Sequence, residues 1–250
     1  MIIHKDEVLL ICDSIPGLGY TARKTPQKRE FELVHGFIDR YIASLKHGKQ
    51  KVAIFLEPMI DTGYPDIVIV RYRPTDSIIW QPNNSKLSSK HYKVLSAVDQ
   101  QGRVSITHLA SLLGYREKEL ISILNRLNRE GLVSKEEEVI RRKKYADYFC
   151  IRSIITIEAK VNKWTEAIDQ ALFNTRFSTE SYVLMGTDRC SETMREKCDS
   201  LGVGILLSAN NKTKRYLPAE KHYKLNSYIP YLFNEWLLRI ERLEADNETE

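Results

Sequence analysis

The most informative segment of the sequence is Ile154-Ile155-Thr156-Ile157-Glu158-Ala159-Lys160, together with Tyr64-Pro65-Asp66-Ile67-Val68 far upstream. Both segments place charged residues at one end of an apolar run, as buried strands that end at a site do. Side chains alternate between the two faces of a strand, so Glu158 and Lys160 are predicted to point the same way. Burying such charges is costly unless they have partners or a chemical role. Two carboxylates and a lysine at strand ends can bind a divalent metal through oxygen and orient a water beside it.

These residues resemble the motif of the PD-(D/E)XK nuclease superfamily, the restriction-endonuclease-like fold. Pro65-Asp66 matches the first part of the motif and Glu158-Ala159-Lys160 the second. The segments that follow add to the resemblance, because residues 164–171 have the spacing of an amphipathic helix and residues 182–185 that of a buried strand. The order of strand, motif, helix and strand is the order expected of this superfamily.

The resemblance implies a Mg²⁺-dependent deoxyribonuclease, an endonuclease that hydrolyses phosphodiester bonds. Asp66, Glu158 and the carbonyl of Ala159 would hold one or two Mg²⁺ ions, with Mn²⁺ as the expected substitute. Lys160 would orient or help to deprotonate the attacking water and stabilise charge on phosphorus. Gln170, at the position of a glutamine in RecB-like members, would position the site or hold the phosphate. Those members often carry a tyrosine four residues later, where this chain has Asn174.

A further acidic residue is expected from the first helix, as members of the superfamily often present one there. Apolar residues recur with helical period from residue 26 to 45, and Glu30 and Glu32 lie near the start. Glu30 is preferred because its spacing to the apolar residues places it on the inward side. The alternative is a solvated acidic residue favoured by the helix dipole. Glu57, at the end of the next predicted strand, is a secondary candidate.

An inserted domain is predicted because about 90 residues separate Asp66 from Glu158, too many for one loop in a compact domain. Residues 86–150 show three helical patterns followed by a hairpin. They resemble a winged helix-turn-helix, including the ending Leu127-Asn128-Arg129-Glu130-Gly131-Leu132-Val133. The predicted fold class is α/β (α+β), a restriction-endonuclease-like mixed sheet flanked by helices. The predicted domains are a discontinuous nuclease-like core, 1–85 and 151–250, and the winged helix, 86–150.

For a winged helix, the third helix is expected to lie in the DNA major groove, with the hairpin exit near the phosphates. The predicted DNA-binding residues are Arg116, Lys118, Ser122, Asn125, Arg126, Arg129, Arg141 and Arg142. Winged helices also dock proteins, and the three glutamates at 136–138 would repel a phosphate backbone. The alternative function is therefore a catalytically inactive or partner-dependent regulator, or an interaction subunit, that uses the winged helix.

Composition sets the remaining expectations. The 250 residues are 42% hydrophobic, enough for a sizeable core, and the net charge of +5 supports a polyanionic partner such as DNA only weakly. The apolar run at residues 8–12 is too short for a signal peptide or a membrane span, so a cytoplasmic protein is expected. Cutting both strands requires two active sites, so a homodimer is predicted, with the helix at about 225–243 at its interface.

Two other segments carry predictions about the sheet and its edges. Residues 77–80 are predicted to extend the sheet after the strand that begins at Ile67. Residues 210–215 are predicted to form a basic loop at a strand end, which either lines a DNA cleft or is a solvated turn.

Overall fold

The computed structural model describes residues 2–5, 8–23, 28–45, 50–61, 63–82, 87–223 and 227–248. Within these ranges the strands are β1 (Ile2–Lys5), β2 (Val8–Ile11), β3 (Lys51–Leu56), β4 (Ile67–Tyr72), β5 (Arg103–Ser105), β6 (Val133–Glu136), β7 (Val139–Arg142), β8 (Ile151–Lys160), β9 (Glu180–Met185), β10 (Gly204–Ala209) and β11 (Lys212–Leu217). The helices are α1 (Lys28–Ser44), α2 (Ser89–Gln101), α3 (Ile106–Leu113), α4 (Glu117–Arg129), α5 (Trp164–Asn174), α6 (Glu192–Ser200) and α7 (Ile229–Glu248). None of these helices is both long and apolar enough to cross a membrane.

The chain divides into two compact units, each built from two separate segments. The first unit contains residues 1–73 and 151–225, and the second contains residues 74–150 and 226–250. The sequence predicted a first boundary at residue 85 and placed 226–250 with the nuclease-like core. The structure differs because both segments bond within the second unit. The backbone N–H groups of Ile79 and Trp80 donate to the carbonyl of Asp147, at 2.7 and 3.1 Å.

The first unit contains an eight-stranded mixed sheet in the order β1-β2-β3-β4-β8-β9-β10-β11. Strands β2 and β3 pair in parallel, as do β8 with β9 and β9 with β10, and the other neighbours are antiparallel. Together with the helices this is a mixed α/β structure, which agrees with the predicted class. The central strands β4 and β8 read as nearly continuous apolar runs because they are covered on both faces.

Two apolar layers cover the sheet of the first unit. On one face, Phe37 and Ile38 of α1 pack against a cluster that includes Ile69 and Ile157. On the other face, Ala167, Ile168 and Ala171 of α5 join a cluster with side chains of α6, β9 and β10. Alternation along β8 therefore sends Ile157 and Ala159 to the α1 face and Glu158 to the α5 face.

Two predictions about the edges of this sheet are wrong. Residues 210–215, predicted as a loop, lie mostly in β11, which pairs antiparallel with β10. Asn210 and Asn211 adopt φ values of 50° and 60°, the conformation of a two-residue hairpin turn that asparagine tolerates, so the chain reverses at once and pairs back. Residues 77–80 form no strand and belong to the second unit.

The second unit combines helices α2, α3, α4 and α7 with a three-stranded sheet in the order β5-β7-β6. Leu120, Leu124 and Leu127 of α4 are fully buried, and Gly131, with φ of 74°, ends that helix region. The hairpin β6–β7 follows, as predicted for the wing. Ser105 caps the N-terminus of α3, because its hydroxyl accepts a 3.2 Å hydrogen bond from the N–H of His108.

The C-terminal helix α7 was predicted to belong to the nuclease-like core and to supply a dimer interface. Its apolar side chains, among them Phe233, Trp236, Leu237 and Ile240, are buried within the chain itself. Its Asn234 also bonds back into the second unit, since its side chain accepts from the N–H of Cys150 and donates to the carbonyl of Tyr148, each at 2.8 Å. This face is core, so the interface prediction loses its basis there.

Two acidic side chains, the buried Glu235 and the half-buried Asp99, fix α7 to the rest of the second unit. Glu235 accepts hydrogen bonds from the hydroxyl of Tyr92 and from the guanidinium of Arg239, the latter at 2.7 and 3.0 Å. Asp99 of α2 accepts from the hydroxyls of Tyr148 at 2.6 Å and Tyr231 at 2.5 Å. Each carboxylate therefore meets donors, as buried polar groups in a stable core do.

Candidate active site

The pairing of β4 with β8 brings Asp66 and Glu158 together. Ile67 lies opposite Ile157 in the antiparallel ladder, so the residue before Ile67 lies beside the residue after Ile157. Asp66 Oδ2 accepts a 2.7 Å hydrogen bond from the N–H of Ala159, which continues the ladder with a side-chain oxygen in place of a carbonyl. Two segments far apart in the chain therefore meet at one end of two central strands.

Asp66 and Glu158 therefore lie side by side at the ends of β4 and β8, close enough for the Asp66 charge to act on Glu158. Asp66 is 6% exposed and Glu158 3% exposed. Burial raises the pKa of Asp66, and the hydrogen bond from Ala159 and the Lys160 ammonium only partly oppose that rise. Burial, followed by the neighbouring Asp66 charge, raises the pKa of Glu158 well above its usual range. Two carboxylates confined in one site cannot both ionise cheaply without a cation.

Ala159 contributes its backbone to the same place. Its N–H points to Asp66, and in a strand the N–H and C=O of one residue point to the same side, so the Ala159 carbonyl lies on the Asp66 side of β8. The oxygen groups that could bind a metal ion here are therefore two carboxylates and one backbone carbonyl. Within the described residues, no group of three or more histidine, cysteine, aspartate or glutamate side chains is arranged to hold a metal ion.

Lys160 and Glu30 lie beside this pair. Lys160 Nζ is 3.3 Å from Glu30 Oε2, and both side chains are largely shielded from solvent. Glu30 belongs to the first turn of α1 and also raises the pKa of Asp66 through its charge. Glu32, the other acidic residue weighed in the sequence, is exposed. The structure thus places Glu30, and not Glu32, next to the carboxylate pair.

Asn174 is a residue of this site to which the sequence assigned no role. Its Nδ2 donates a 2.6 Å hydrogen bond to Glu158 Oε1, and the side chain is 4% exposed. Gln170, the predicted site residue one turn earlier on α5, is exposed and lines the same cleft as Glu158. The sequence does contain a signal for Asn174, because residues four apart on a helix share a face.

Arg23 is the other residue that the sequence did not indicate. Its Nε lies 2.5 Å from Glu57 Oε2, and its Nη2 lies 3.9 Å from Asp66 Oδ1. The Glu57 carboxyl is the main influence that raises the pKa of Arg23. Glu57 is therefore paired with an arginine at the edge of the site. No periodic pattern surrounds Arg23, so no sequence signal marks it.

Two clefts open from the carboxylate pair. On the α1 side a cleft of about 830 Å³ is lined by Asp66, Glu57, Glu30 and Arg23 at one end and by apolar side chains along its walls. On the α5 side a smaller cleft of about 320 Å³ is lined by Glu158 together with Gln170, Phe173 and Asn174. Asp66 thus borders the cleft on the α1 side and Glu158 the cleft on the α5 side.

The predicted DNA-binding residues lie on the surface of the second unit, and several already have partners. Arg116, Lys118, Ser122, Asn125, Arg129, Arg141 and Arg142 are exposed. Arg126 is half-buried and pairs with Glu130 at 2.6 Å, so it is the residue least available to a ligand. Asn125 accepts a 3.0 Å hydrogen bond from Lys135, and Arg141 lies 3.5 Å from Glu136.

Comparison of the chain with protein-family models, with curated proteins and with solved structures finds no match. The functional argument therefore depends on the geometry of this site.

Proposed function

We propose that the protein is a metal-dependent nuclease that hydrolyses phosphodiester bonds of DNA. The observation that carries the proposal is the cross-strand pairing of two buried carboxylates, Asp66 and Glu158, with Lys160 beside them. Arg23 Nη2 lies 3.9 Å from Asp66 Oδ1, whereas the hydrogen-bond partner of Glu158 is the neutral amide of Asn174. Two buried carboxylates side by side cost stability, and a bound divalent cation would relieve that cost.

The oxygen ligands available at this position suit Mg²⁺. Mg²⁺ takes hard oxygen ligands, keeps several waters and is commonly held by one or two protein carboxylates together with substrate phosphate. Asp66 and Glu158 would hold the ion with the carbonyl of Ala159, and Mn²⁺ would substitute. When bound, such an ion polarises a phosphoryl oxygen and lowers the pKa of a coordinated water.

The remaining residues have roles that follow from their contacts. Lys160 carries an ammonium at the carboxylate pair, where it can orient a water and stabilise negative charge that develops on phosphorus. Glu30 holds that ammonium through its 3.3 Å contact. Asn174 fixes one oxygen of Glu158 with its amide, which leaves the other oxygen of that carboxylate for the ion.

The second unit is proposed to bind the DNA. Its wing carries Arg141 and Arg142, and Lys143 and Lys144 follow, all exposed. Exposed cations on one surface supply the salt-dependent attraction to phosphates on which non-specific binding depends. The glutamates at the wing tip oppose this attraction, so we expect the α4 surface and the wing exit, not the tip, to contact the backbone.

The test is cleavage of supercoiled plasmid, linear duplex and single-stranded DNA in Mg²⁺, Mn²⁺ or EDTA. We expect cutting only with metal, and loss of cutting in Asp66→Ala and Lys160→Ala. Glu32→Ala is the matched control, since Glu32 is an exposed acid on the same helix as Glu30, and it should cut like wild type. Absence of cutting with every metal would refute the nuclease, and DNA binding without cutting would then favour a regulator.

A further inference from the structure

The 830 Å³ cleft on the α1 side is larger than a catalytic water and a phosphate need. Its volume lies in the range of pockets that enclose small organic molecules. It is continuous with the candidate site because Asp66 lines its inner end. Whatever occupies it would therefore be joined to, or lie beside, the group that reacts at Asp66.

The walls of this cleft suit a flat apolar surface. They are formed by Leu10, Val34, Ile38 and Leu56, side chains of the sheet and of α1. The ring of Phe31 also lines the cleft, is 42% exposed and lies 4.0 Å, centroid to centroid, from the ring of His35. An exposed aromatic pair beside an apolar cavity is the arrangement on which single-stranded nucleic acid bases stack.

Carboxylates predominate among the charged side chains that are described in this cleft. Asp13, Asp39, Glu30, Glu57 and Asp66 line it together with Arg23. Carboxylates accept hydrogen bonds from the amino groups that adenine and cytosine present. The described side chains therefore fit the base of a nucleotide.

We propose that a nucleotide next to the scissile phosphate leaves the base stack and places its base in this cleft against Phe31. This inference rests on the proposed nuclease function and names its substrate class. A base inside a duplex cannot enter a concave pocket without extrusion, and extrusion costs least where the base is mismatched or unpaired. The enzyme therefore prefers single-stranded DNA, or duplex DNA with an unpaired nucleotide at the cut.

The binding test uses duplexes with 2-aminopurine at a mismatch and the Lys160→Ala protein in Ca²⁺, so that no cleavage is required. We expect 2-aminopurine emission to rise on adding protein, and the rise to be lost in the double variant Lys160→Ala/Phe31→Ala. Tyr216→Ala replaces Phe31→Ala in the matched control, because Tyr216 is a similarly exposed aromatic residue, 39% exposed, that lines neither cleft. That control should keep the rise.

The cleavage test compares matched duplexes with duplexes carrying one unpaired nucleotide. Phe31→Ala should slow cleavage of the second substrate about tenfold, the loss expected from one base-stacking contact, while Tyr216→Ala stays close to wild type. No emission rise, or equal effects of the Phe31 and Tyr216 variants, would overturn the inference. Metal-dependent cutting without preference for unpaired DNA would overturn it and leave the nuclease intact, whereas an emission rise without any cutting would refute the nuclease alone.

Discussion

Buried carboxylates occur in both units of the molecule, but their surroundings differ. In the second unit, Glu235 meets Tyr92 and Arg239, and Asp99 meets two tyrosine hydroxyls. In the first unit, Asp66 and Glu158 face one another, with one backbone N–H and one amide as their close donors. The first arrangement satisfies each charge, and the second concentrates negative charge.

We infer from this difference that Glu235 and Asp99 stabilise the fold, whereas Asp66 and Glu158 belong to the proposed metal site. Buried polar groups in a stable core are matched by donors, whereas functional sites tolerate local destabilisation for the sake of chemistry. Burial alone does not distinguish the two clusters, because Glu235 and Glu158 are equally buried. The two clusters differ instead in the side chains that lie next to each carboxylate. The experiments below test this distinction, from the largest expected effect to the smallest.

The largest effect is expected on catalysis. Asp66→Asn removes a charge from the proposed metal site without changing its shape and should lower the cleavage rate by at least about 1,000-fold. Asp99→Asn makes the same change in the second unit and should leave the rate per folded molecule within about twofold. Rates are measured on a fluorescent duplex in Mg²⁺. Equal losses in both variants would remove the distinction between the clusters.

The next effect is on stability. Glu235→Gln leaves the Arg239 guanidinium buried without its counter-charge, so the free energy of unfolding should fall by about 3 kcal/mol. Urea unfolding followed by circular dichroism measures this change. The double variant Glu235→Gln/Arg239→Met removes the stranded charge and should recover part of the loss. A Glu235→Gln protein as stable as wild type would show that this pair is not structural.

A smaller effect is expected when the support of Glu158 is removed. Asn174→Ala deletes the amide that holds Glu158 Oε1 and should weaken the apparent Mg²⁺ affinity by about 10–100-fold, as the loss of a ligand's hydrogen-bond partner commonly does. The Mg²⁺ concentration that gives half-maximal cleavage is the measurement. Glu166→Ala, an exposed acid on the same helix that does not line the cleft of Glu158, is the control and should keep the wild-type value.

The smallest effect concerns pH. Because burial raises the pKa of both Asp66 and Glu158 in the folded state, folding favours their protonated forms, and stability should fall as pH rises from about 4. In EDTA at pH 8, Glu158→Gln should therefore be more stable than wild type by about 1 kcal/mol, a gain typical of a relieved functional site. Thermal unfolding at pH 4.5 and 8 measures this gain, which should shrink at the lower pH. A loss of stability at pH 8 would contradict the argument.

Added metal should make the wild-type protein more stable than Glu158→Gln at pH 8. Binding requires ionised carboxylates, so Mg²⁺ or Mn²⁺ should stabilise the wild-type protein at pH 8, and progressively less as the pH falls. Glu158→Gln should show little metal stabilisation at any pH, which separates a ligand role from a general ion effect.

The local sequence pattern was sufficient to predict the positions of most of the central helices and strands. The apolar runs of β4 and β8 and the period of α1 and α5 predicted where these elements lie, because burial on a sheet imposes those patterns. The proximity of Asp66 and Glu158 could also be predicted, because the family resemblance places both carboxylates at one metal site. Asn174 was visible in sequence but received no role, because its function depends on which helix face meets β8.

Features set by distant contacts were not predictable in this way. The period of α7 identifies a helix, but its place in the second unit follows from partners such as Tyr92 that lie far away in the chain. Arg23 reaches Glu57 across more than 30 residues from a segment without regular structure. Residues 210–215 looked like a polar loop because β11 is an exposed edge strand with little apolar content.

The discontinuous units also constrain how the protein is made. The β8, β9 and β10 strands of the first unit follow the 74–150 segment in the chain, and the second unit lacks α7 until the C-terminal helix is synthesised. The first unit therefore cannot complete its core until residues 74–150 of the second have been synthesised, and the second unit completes its core only after the first. During translation, Tyr92 and the rest of the α7-facing surface of α2 stay uncovered until residue 235 has left the exit tunnel, so slow elongation through residues 151–235 would lengthen the period in which the chain is prone to aggregate.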